Sequence, residues 1–224
     1  MDFHNRYNPM FQNARTAIDR GDLGEVRYIY IRHSNATQVP LGMLSWAAKS
    51  SSLWFLGSHS FDLARWLMGD EVESVFCQTV VGLLRSKGLD VPDVYCTTLR
   101  FRGGGVAMIE NAWMLPEVAR GDFQSEIVGT EGMFYTNLTR NTANELFSKD
   151  KRLSPDILVN TQIAGQRSGF AVESIVDFVN GVLAGRPPLA TWRDGLANTT
   201  ALCAAEESAR RGQPVRVEEM AASA

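Results

Sequence analysis

Six consecutive stretches between residues 72 and 149 either alternate apolar and polar residues or are rich in β-branched and aromatic side chains. Glycine, proline or aspartate bounds each stretch, which favours a turn at its end. Strands joined by such short connections pair antiparallel, because a parallel pair needs a longer crossover. The stretches are VESVFCQTVVGLL, DVYCTTLRF, GVAMIENAWML, DFQSEIVG, MFYTN and NELFSK. The sequence therefore predicts a large, mostly antiparallel sheet.

Helical patterns lie on both sides of this run of strands. Asn8 before Pro9 is typical of a helix start, and Thr191 with Asp194 three residues later is a variant of the capping box. The predicted helices run from Pro9 to Gly21, from His59 to Gly69, over 170–184 and over 192–211, with further strands over 24–36 and 212–217. Helices segregated from an antiparallel run indicate the α+β class, an open sheet with helices packed on one face.

Composition excludes several classes of protein. The chain has 22 basic and 25 acidic residues, a net charge of -3, and no basic block, so a nucleic-acid partner is not expected. No apolar run approaches the roughly 20 residues of a membrane span, and the first residues lack a secretory pattern. We therefore expect no membrane association and a cytoplasmic location.

The common cofactor, metal and nucleophile motifs are missing from the sequence. Gly103 and Gly105 begin a GxGxxG pattern but Met108 replaces its third glycine, and the glycines follow a predicted strand as a hairpin turn would. The three cysteines have no CxxC spacing, and HExxH, GxSxG and P-loop motifs are absent. We expect no metal site and no cofactor-binding residues in this chain.

One histidine does have the surroundings of a reactive group. His59 begins the second predicted helix, and Asp62 follows three residues later on the same face. An imidazole can exchange protons near neutral pH, and a nearby carboxylate would favour its charged form. A histidine with an aspartate one turn later is also a common local capping pair, and the residues alone leave both interpretations open.

Several segments together resemble one family in order and spacing. DFHNRYNP, GEVRYIYIRHSN, GSHSFDLARWLMGD, EIVGTEGMFYTN and RDGLANTTALCAAEESARRGQPVRV are similar to the C-terminal domain of the glucose-fructose oxidoreductase, inositol dehydrogenase and rhizopine-catabolism family, Gfo/Idh/MocA. The resemblance covers essentially all 224 residues. It implies a fold like the C-terminal domain of glyceraldehyde-3-phosphate dehydrogenase.

The resemblance also implies a domain arrangement. Family members carry an N-terminal Rossmann domain that holds NAD or NADP, and the C-terminal domain supplies the substrate pocket and the dimer face. Residues 1–8 would be the remnant of the last Rossmann strand and the domain junction, and residues 9–224 the substrate-binding and oligomerisation domain. This chain alone is then expected to be inactive and to bind no cofactor.

His59 matches the family histidine of a GxHxxD pattern, which exchanges a proton with a substrate hydroxyl while hydride passes to the nicotinamide. Many members have an aspartate four residues earlier, where this chain has Phe55. An apolar neighbour would disfavour the charged imidazole, whereas a carboxylate would favour it. The departure suggests that another acid substitutes or that the redox chemistry differs.

The resemblance suggests further pocket residues, each with a plain structural alternative. Asp62 contacts substrate or ties its helix to the sheet, and Lys49 supplies a charge to the pocket or is a solvated loop lysine. Arg6 clamps a carboxylate or hydroxyls, or pins the first helix, and Tyr7 lies beside it near the cleft.

The strands supply the remaining candidates. His33 and Asn35, at the end of the first strand, contact substrate or lie on the surface, and Trp113 stacks on a sugar ring or belongs to a core or interface. Arg120, in the loop after the strand of Trp113, is a weaker candidate.

The second face of the sheet predicts self-association. Trp113, Met114, Phe101 and Tyr95 cannot all point at the helices, and an apolar sheet face must be covered. A two-fold partner would cover it, so we expect a homodimer or tetramer formed through the sheet face.

These observations favour part of an NAD(P)-dependent oxidoreductase acting on a sugar, cyclitol or related polyhydroxy substrate. One alternative is a non-catalytic binding or scaffold domain with the same sheet, which Phe55 favours slightly. Another is redox-assisted glycoside hydrolysis or epimerisation in the same pocket.

Overall fold

The computed structural model describes residues 2–119, 121–137, 144–148, 152–153, 160–163 and 166–221. Its helices are α1 (Pro9–Asp19), α2 (Ser58–Met68), α3 (Leu83–Ser86), α4 (Phe170–Ala184), α5 (Trp192–Arg211) and α6 (Val217–Ala221). Its strands are β1 (Val26–Ala36), β2 (Val72–Val80), β3 (Val94–Phe101), β4 (Val106–Leu115), β5 (Gly121–Gly129), β6 (Gly132–Asn137), β7 (Asn144–Ser148), β8 (Arg152–Leu153), β9 (Asn160–Ile163), β10 (Gln166–Gly169) and β11 (Val215–Arg216).

Nine of these strands form one open sheet in the order β11-β2-β3-β4-β1-β5-β6-β7-β8. The first strand of the sequence lies in its middle, parallel to β4 on one side and antiparallel to β5 on the other. All other neighbouring pairs in this sheet are antiparallel. The predicted fold class is confirmed.

Local chemistry sets the helix ends as the sequence predicts. The Asn8 side chain accepts a hydrogen bond from the backbone N of Met10 at 3.0 Å, and Thr191 forms a full capping box with Asp194. Helices α2, α4 and α5 each end at a left-handed glycine, for example Gly69 with a φ of 68°. Strand β11 pairs with β2 at the sheet edge, as the last predicted strand requires.

One hydrophobic core lies between the sheet and the helices on its covered face. Phe11 of α1, Phe61 of α2 and Leu202 of α5 are fully buried there against strand residues such as Ile31. Because side chains alternate along a strand, residues of one strand face enter this core, such as Leu99 and Phe101 of β3 and Ala107 and Ile109 of β4.

The alternation corrects one expectation from the sequence. Phe101 and Tyr95 share the covered face with Leu99 and are buried in the main core, and Trp113 is fully buried in a second cluster. Of the four residues expected to create an apolar second face, only Met114 is exposed, at 38%. Strand register, rather than residue type, decides which face each side chain joins.

The open face of the sheet is mixed rather than apolar. Tyr30 and Arg32 of β1 lie there beside Met108 and Glu110 of β4, opposite to the buried Ile31. Arg32 forms an ion pair with Glu110 at 3.0 Å, and Met108 is 48% exposed. Polar pairs and scattered apolar groups therefore share this surface.

The predicted strand over 72–84 is wrong in its last part. Strand β2 ends at Val80, and the following residues form the short helix α3. The carboxylate of Asp93 accepts hydrogen bonds from the backbone N of Leu83 at 2.8 Å and of Leu84 at 2.7 Å. These contacts satisfy the first amides of α3. Leu84 of this helix is buried in the second hydrophobic cluster, which also contains Trp113.

Helix α4 has the predicted bounds but leaves an apolar surface outside. Its predicted stripe is between 40% and 81% exposed and consists of Val172, Ile175, Val176, Val179, Val182 and Leu183. We call this surface the α4 face.

None of the helices in the described ranges is long and apolar enough to cross a membrane.

Candidate functional site

The candidate site lies where helix α2 begins. A π-helical turn, Leu53–Gly57, leads into α2 at Ser58, so His59 stands in the first helical turn. A Cβ atom on Gly57 would lie 3.0 Å from Oδ1 of Asn111 and 3.2 Å from Leu53. These distances are tighter than most real Cβ contacts, so glycine at this position favours the close approach of the turn to β4.

Three histidines from separate elements meet at this place, and we call them the histidine cluster. The ring centroids of His4 and His59 lie 4.7 Å apart, and those of His33 and His59 lie 6.3 Å apart. His33 belongs to the covered face of β1, and His4 belongs to the short 3-10 turn His4–Tyr7. The two predicted residues His59 and His33 are thus brought together.

Aromatic rings fix the outer members of the histidine cluster. His33 stacks on Phe123 of β5 with centroids 4.1 Å apart, and His4 stacks on Phe170 at the start of α4 at 5.4 Å. Nδ1 of His4 lies 3.2 Å from Oδ2 of Asp2, and the His4 side chain is 27% exposed. The cluster therefore extends from the covered face of the sheet to the surface beside the first residues.

The surroundings keep the inner rings of the histidine cluster, those of His59 and His33, neutral at physiological pH. Burial, with a smaller contribution from His4, lowers the pKa of His59 to about 4. Burial, followed by the neighbouring His59 and His4, lowers the pKa of His33 to about 3. The cause is desolvation first and mutual repulsion second.

Both inner rings keep a shielded nitrogen unused. Nδ1 of His33 and Nδ1 of His59 are buried and have no hydrogen-bond partner among the described residues. A buried polar atom without a partner costs free energy, so such atoms are uncommon unless a ligand or water satisfies them. His33 and His59 therefore each retain a nitrogen whose hydrogen-bonding capacity the described residues do not use.

Asp62 does not face His59 but belongs to a separate ionic network. Its carboxylate accepts from Nη2 of Arg6 at 2.6 Å and from Nε at 2.9 Å, and Arg6 also reaches Asp194 at 2.9 Å. Burial raises the pKa of Asp62 and Arg6 opposes that rise, while for Asp194 hydrogen bonds from Thr191 and Arg6 outweigh burial and lower the pKa to about 2.

This network corrects the substrate-clamp hypothesis for Arg6. Arg6 is 4% exposed and Asp62 is 1% exposed, and Nη1 of Arg6 donates to the carbonyl of Leu189 at 3.1 Å. A guanidinium whose nitrogens already donate to protein partners has little left for a ligand. The pair joins the 3-10 turn to helices α2 and α5, which is the structural alternative that the sequence left open.

Tyr7 likewise has a protein partner. Its hydroxyl donates to Oδ2 of Asp177 at 2.6 Å, and Arg186 donates to the other oxygen of that carboxylate at 2.5 Å. Burial and the hydrogen bond to Asp177 raise the pKa of Tyr7 to about 12. Tyr7 therefore ties the 3-10 turn to helix α4.

Trp113 is not available to a sugar ring, because it is fully buried. It lies 5.9 Å from Phe55 between ring centroids, in the second hydrophobic cluster. The aromatic Phe55 ring thus packs against this tryptophan, and no ring contact joins it to His59 within the described part of the chain.

The remaining candidates are not joined to the cluster by any contact between described residues. Lys49 ends the 3-10 turn Ala47–Lys49 and is exposed. Asn35 is two residues beyond His33 and pairs in register with Gly121. Arg120 lies outside the described residues.

Sequence reasoning missed His4 as a member of the site, as well as two asparagines behind it, Asn111 and Asn198. The only signal for His4 is its place in the DFHNRYNP segment, at the start of the chain. Asn111 stands at an inward position of β4, where the alternating pattern calls for an apolar residue. A polar residue at a core position is a recognisable signal for a buried site.

Together the fold and the site define an α+β domain with an open sheet and a histidine-lined site beside its first residues. A family model described as the GFO/IDH/MocA C-terminal domain matches residues 11–135. The chain belongs to this family, as the resemblance implied.

Among curated relatives, the chain is 27% identical to "Myo-inositol 2-dehydrogenase" of Thermotoga maritima, over 97% of this chain and 64% of the relative. It is also 27% identical to "scyllo-inositol 2-dehydrogenase (NAD(+))" of Bacillus subtilis, over 96% of this chain and 61% of the relative. The chain thus spans less than two thirds of the length of these relatives.

Solved structures show the same fold. A levoglucosan dehydrogenase in complex with NADH and L-sorbose superposes with a TM-score of 0.80 at 22% identity, covering 98% of this chain and 66% of that one. At this identity the likeness supports the fold alone. Both curated relatives named above are inositol dehydrogenases.

Proposed function

We propose that this chain is the substrate-binding domain of an NAD(P)-dependent oxidoreductase that acts on a sugar, cyclitol or related polyhydroxy compound. In this proposal His59 hydrogen-bonds the reacting hydroxyl and exchanges its proton. The observation that carries the proposal is the unpartnered Nδ1 of His59, held in the histidine cluster beside the first residues of the chain.

The chemistry needs a neutral imidazole. Oxidation of a secondary alcohol removes a hydride and a proton, so a group within hydrogen-bond reach of the oxygen must accept the proton. Burial keeps His59 neutral, with a pKa of about 4, and therefore able to accept a hydrogen bond at physiological pH. Such a ring holds a proton only briefly, and His4, which lies against both His59 and Asp2, offers the next position toward solvent.

His33 would assist in binding. Its own unpartnered Nδ1 gives a polyol a second hydrogen-bonding group near His59, and the Phe123 ring holds the imidazole in place. Two neutral imidazoles can each form a hydrogen bond with a hydroxyl of a polyhydroxy compound. Asn35, two residues further along β1, remains a candidate for a third contact.

The glycine-rich turn of this chain does not support dinucleotide binding. Gly103 to Gly105 form the hairpin between β3 and β4, and the backbone N of Gly103 donates to the carboxylate of Asp70 at 2.7 Å. An acidic group in that position repels a phosphate. The hydride acceptor, NAD or NADP, would therefore be held by a separate domain, and this chain alone should not turn over substrate.

The position of the α4 face supports such a domain. The α4 face is exposed and apolar, and Tyr7 and Phe170 place it beside the first residues of the chain. Contiguous apolar surface of this kind normally marks an interface. Residues 1–8 would then be the junction to the nucleotide-binding domain, and residues 9–224 the substrate-binding domain.

We also propose that the open face of the sheet forms a homodimer or a dimer-based tetramer. Tyr30, Met108 and the ion pair of Arg32 with Glu110 give this face a mixed surface that suits a two-fold partner. Sedimentation at micromolar concentration should give a species larger than 24.8 kDa, the mass of one chain. A monomer alone at that concentration would contradict this part of the proposal.

The three free cysteines fit a cytoplasmic location.

The proposed function is tested by measuring substrate turnover in the protein as its gene encodes it. A panel of myo-inositol, scyllo-inositol, levoglucosan and L-sorbose is offered with NAD⁺ and NADP⁺, and the reduced cofactor is followed by absorbance. We expect His59→Ala to lower kcat/KM by roughly 10²-fold or more, because it removes the proton acceptor. Lys87→Ala, at an exposed position just after helix α3, is the control and should leave turnover unchanged.

The panel also separates the alternatives. Saturation-transfer NMR measures whether this chain binds a polyol and whether His59→Ala abolishes that binding. Such binding without any cofactor reduction in the complete protein would favour a binding or scaffold domain. Release of sugar from a glycoside with tightly held cofactor would favour redox-assisted hydrolysis. Normal turnover in His59→Ala would remove the assigned role of His59.

A further inference from the structure

Two buried asparagines hold the helix turn that carries His59. Nδ2 of Asn198, from α5, donates to the backbone carbonyl of Ser58 at 2.8 Å. Nδ2 of Asn111, from β4, donates to the hydroxyl of Ser60 at 3.1 Å. The residues immediately before and after His59 are therefore fixed by amides from two different elements.

Asn111 also reaches the strand of His33. Its Nδ2 donates to the backbone carbonyl of His33 at 3.2 Å, and the two residues are register partners across β1 and β4. Ser60 in turn donates to the carbonyl of Leu56, in the turn that leads into α2. One amide group thus connects the backbone at His33 to the helical turn of His59.

Stability alone does not account for these asparagines. Both are fully buried, and Oδ1 of each has no hydrogen-bond partner among the described residues. An apolar side chain of similar size would avoid burying that unsatisfied oxygen. The backbone even makes room for Asn111, since a Cβ atom on Gly57 would lie 3.0 Å from its Oδ1. A buried position that keeps a polar residue at some cost in stability is typical of a functional position.

We propose that Asn111 and Asn198 are positioning residues that set the His59 ring relative to His33 and to the bound polyol. They act through the backbone and the hydroxyl of the neighbouring serines and do not touch the reacting atoms. This inference rests on the proposed function of His59. It predicts a separation of effects, in which the asparagines contribute to turnover more than to stability.

The experiment replaces each asparagine by leucine in the protein as its gene encodes it. We expect Asn111→Leu and Asn198→Leu to change the thermal unfolding midpoint little, because removal of the unsatisfied Oδ1 offsets the lost Nδ2 hydrogen bonds. The same variants should lower kcat roughly 10-fold to 100-fold, because small displacements of a catalytic group are costly. Thr97→Val, which removes another buried polar contact of the same sheet, to Cys77, is the matched control and should change neither kcat nor the His59 resonance.

A second measurement reads the position of His59 directly. In this chain, NMR contacts between the rings of His59 and His4, 4.7 Å apart by centroids, should weaken in both leucine variants and persist in Thr97→Val. Should a leucine variant fail to fold, Asn198→Ala supplies the same measurement with a smaller side chain.

The outcomes separate this inference from the proposed function. Unchanged ring contacts and unchanged kcat in the asparagine variants would overturn the positioning role, even if His59→Ala is inactive. Normal turnover in His59→Ala would overturn the proton-exchange role of His59, while the ring contacts still report whether the asparagines position the His59 ring.

Discussion

Helix α2 carries buried polar groups on two sides, and the two sides are built differently. On one side Asp62 is paired with Arg6, and Arg6 is paired in turn with Asp194, so charge is matched by charge. On the other side His59 meets two further histidines, and its Nδ1 has no partner among the described residues. His59 and Asp62 are only three positions apart along the chain.

The difference separates a structural network from the proposed binding site. A buried network whose donors and acceptors are all used contributes to one arrangement of the fold and has nothing left for a ligand. A buried cluster of neutral rings with unused nitrogens costs stability until something polar occupies it. The helix can hold the second kind of site because the first kind fixes it in place.

The largest expected effect comes from breaking the ionic side. Arg6→Met should lower the free energy of unfolding by about 3–5 kcal/mol, because it leaves the carboxylate of Asp62 buried and unpaired. Chemical denaturation at pH 7.5 measures the change. The double variant Arg6→Met/Asp62→Leu should recover a large part of the loss, since it removes the uncompensated charge together with its partner.

This pair of variants tests the structural assignment. If Arg6→Met left stability within about 0.5 kcal/mol of the parent, the size of an ordinary surface effect, and abolished polyol binding, Arg6 would belong to the binding site after all. The contrast between the two sides of α2 would then disappear.

An intermediate effect is expected from pH on the histidine side. The folded-state pKa values of His33 and His59 are about 3 and about 4, below the value of about 6.5 expected in the unfolded chain. The unfolded state therefore binds more protons below pH 6.5, and stability is complete above that pH and falls as the pH drops toward 4. Each of the two histidines should lower the free energy of unfolding by about 2 kcal/mol at pH 5 relative to pH 7.5.

Urea denaturation at the two pH values measures this loss, and a variant identifies its source. His33→Phe keeps a ring against Phe123 but cannot take up a proton, so its loss between pH 7.5 and pH 5 should be smaller by about 2 kcal/mol. An unchanged pH dependence in His33→Phe would show that the histidine side does not resist protonation.

The fold could be predicted from the sequence because its elements carry local signals. The caps at Asn8 and Thr191 and the glycines that end the helices act within a few residues, and the strand pattern repeats every second residue. The start of α3 could not be predicted in this way. It depends on Asp93, a residue that comes after the helix in the chain and returns to cap it.

The site could be predicted only in part, for the same reason. The family resemblance assigned both His59 and His33 to the pocket, and the structure brings their ring centroids to 6.3 Å, whereas spacing alone grouped His59 with Asp62. The true partner of Asp62 is 56 residues away, and no local pattern reveals it. His4 joins the cluster through the path of the first turn, which only the three-dimensional packing determines.

The smallest expected effect concerns Lys49, which could supply the histidine side with a charge. Lys49 is exposed, and no contact between described residues joins it to the histidine cluster. Lys49→Met should therefore change both the free energy of unfolding and polyol binding by less than about 0.5 kcal/mol. Titration calorimetry with the polyol selected by the substrate panel measures binding, and Lys87→Met, at another exposed lysine, is the control. A loss of binding confined to Lys49→Met would show that the loop of Lys49 closes over the ligand, so that the histidine side gains a cation when it is occupied.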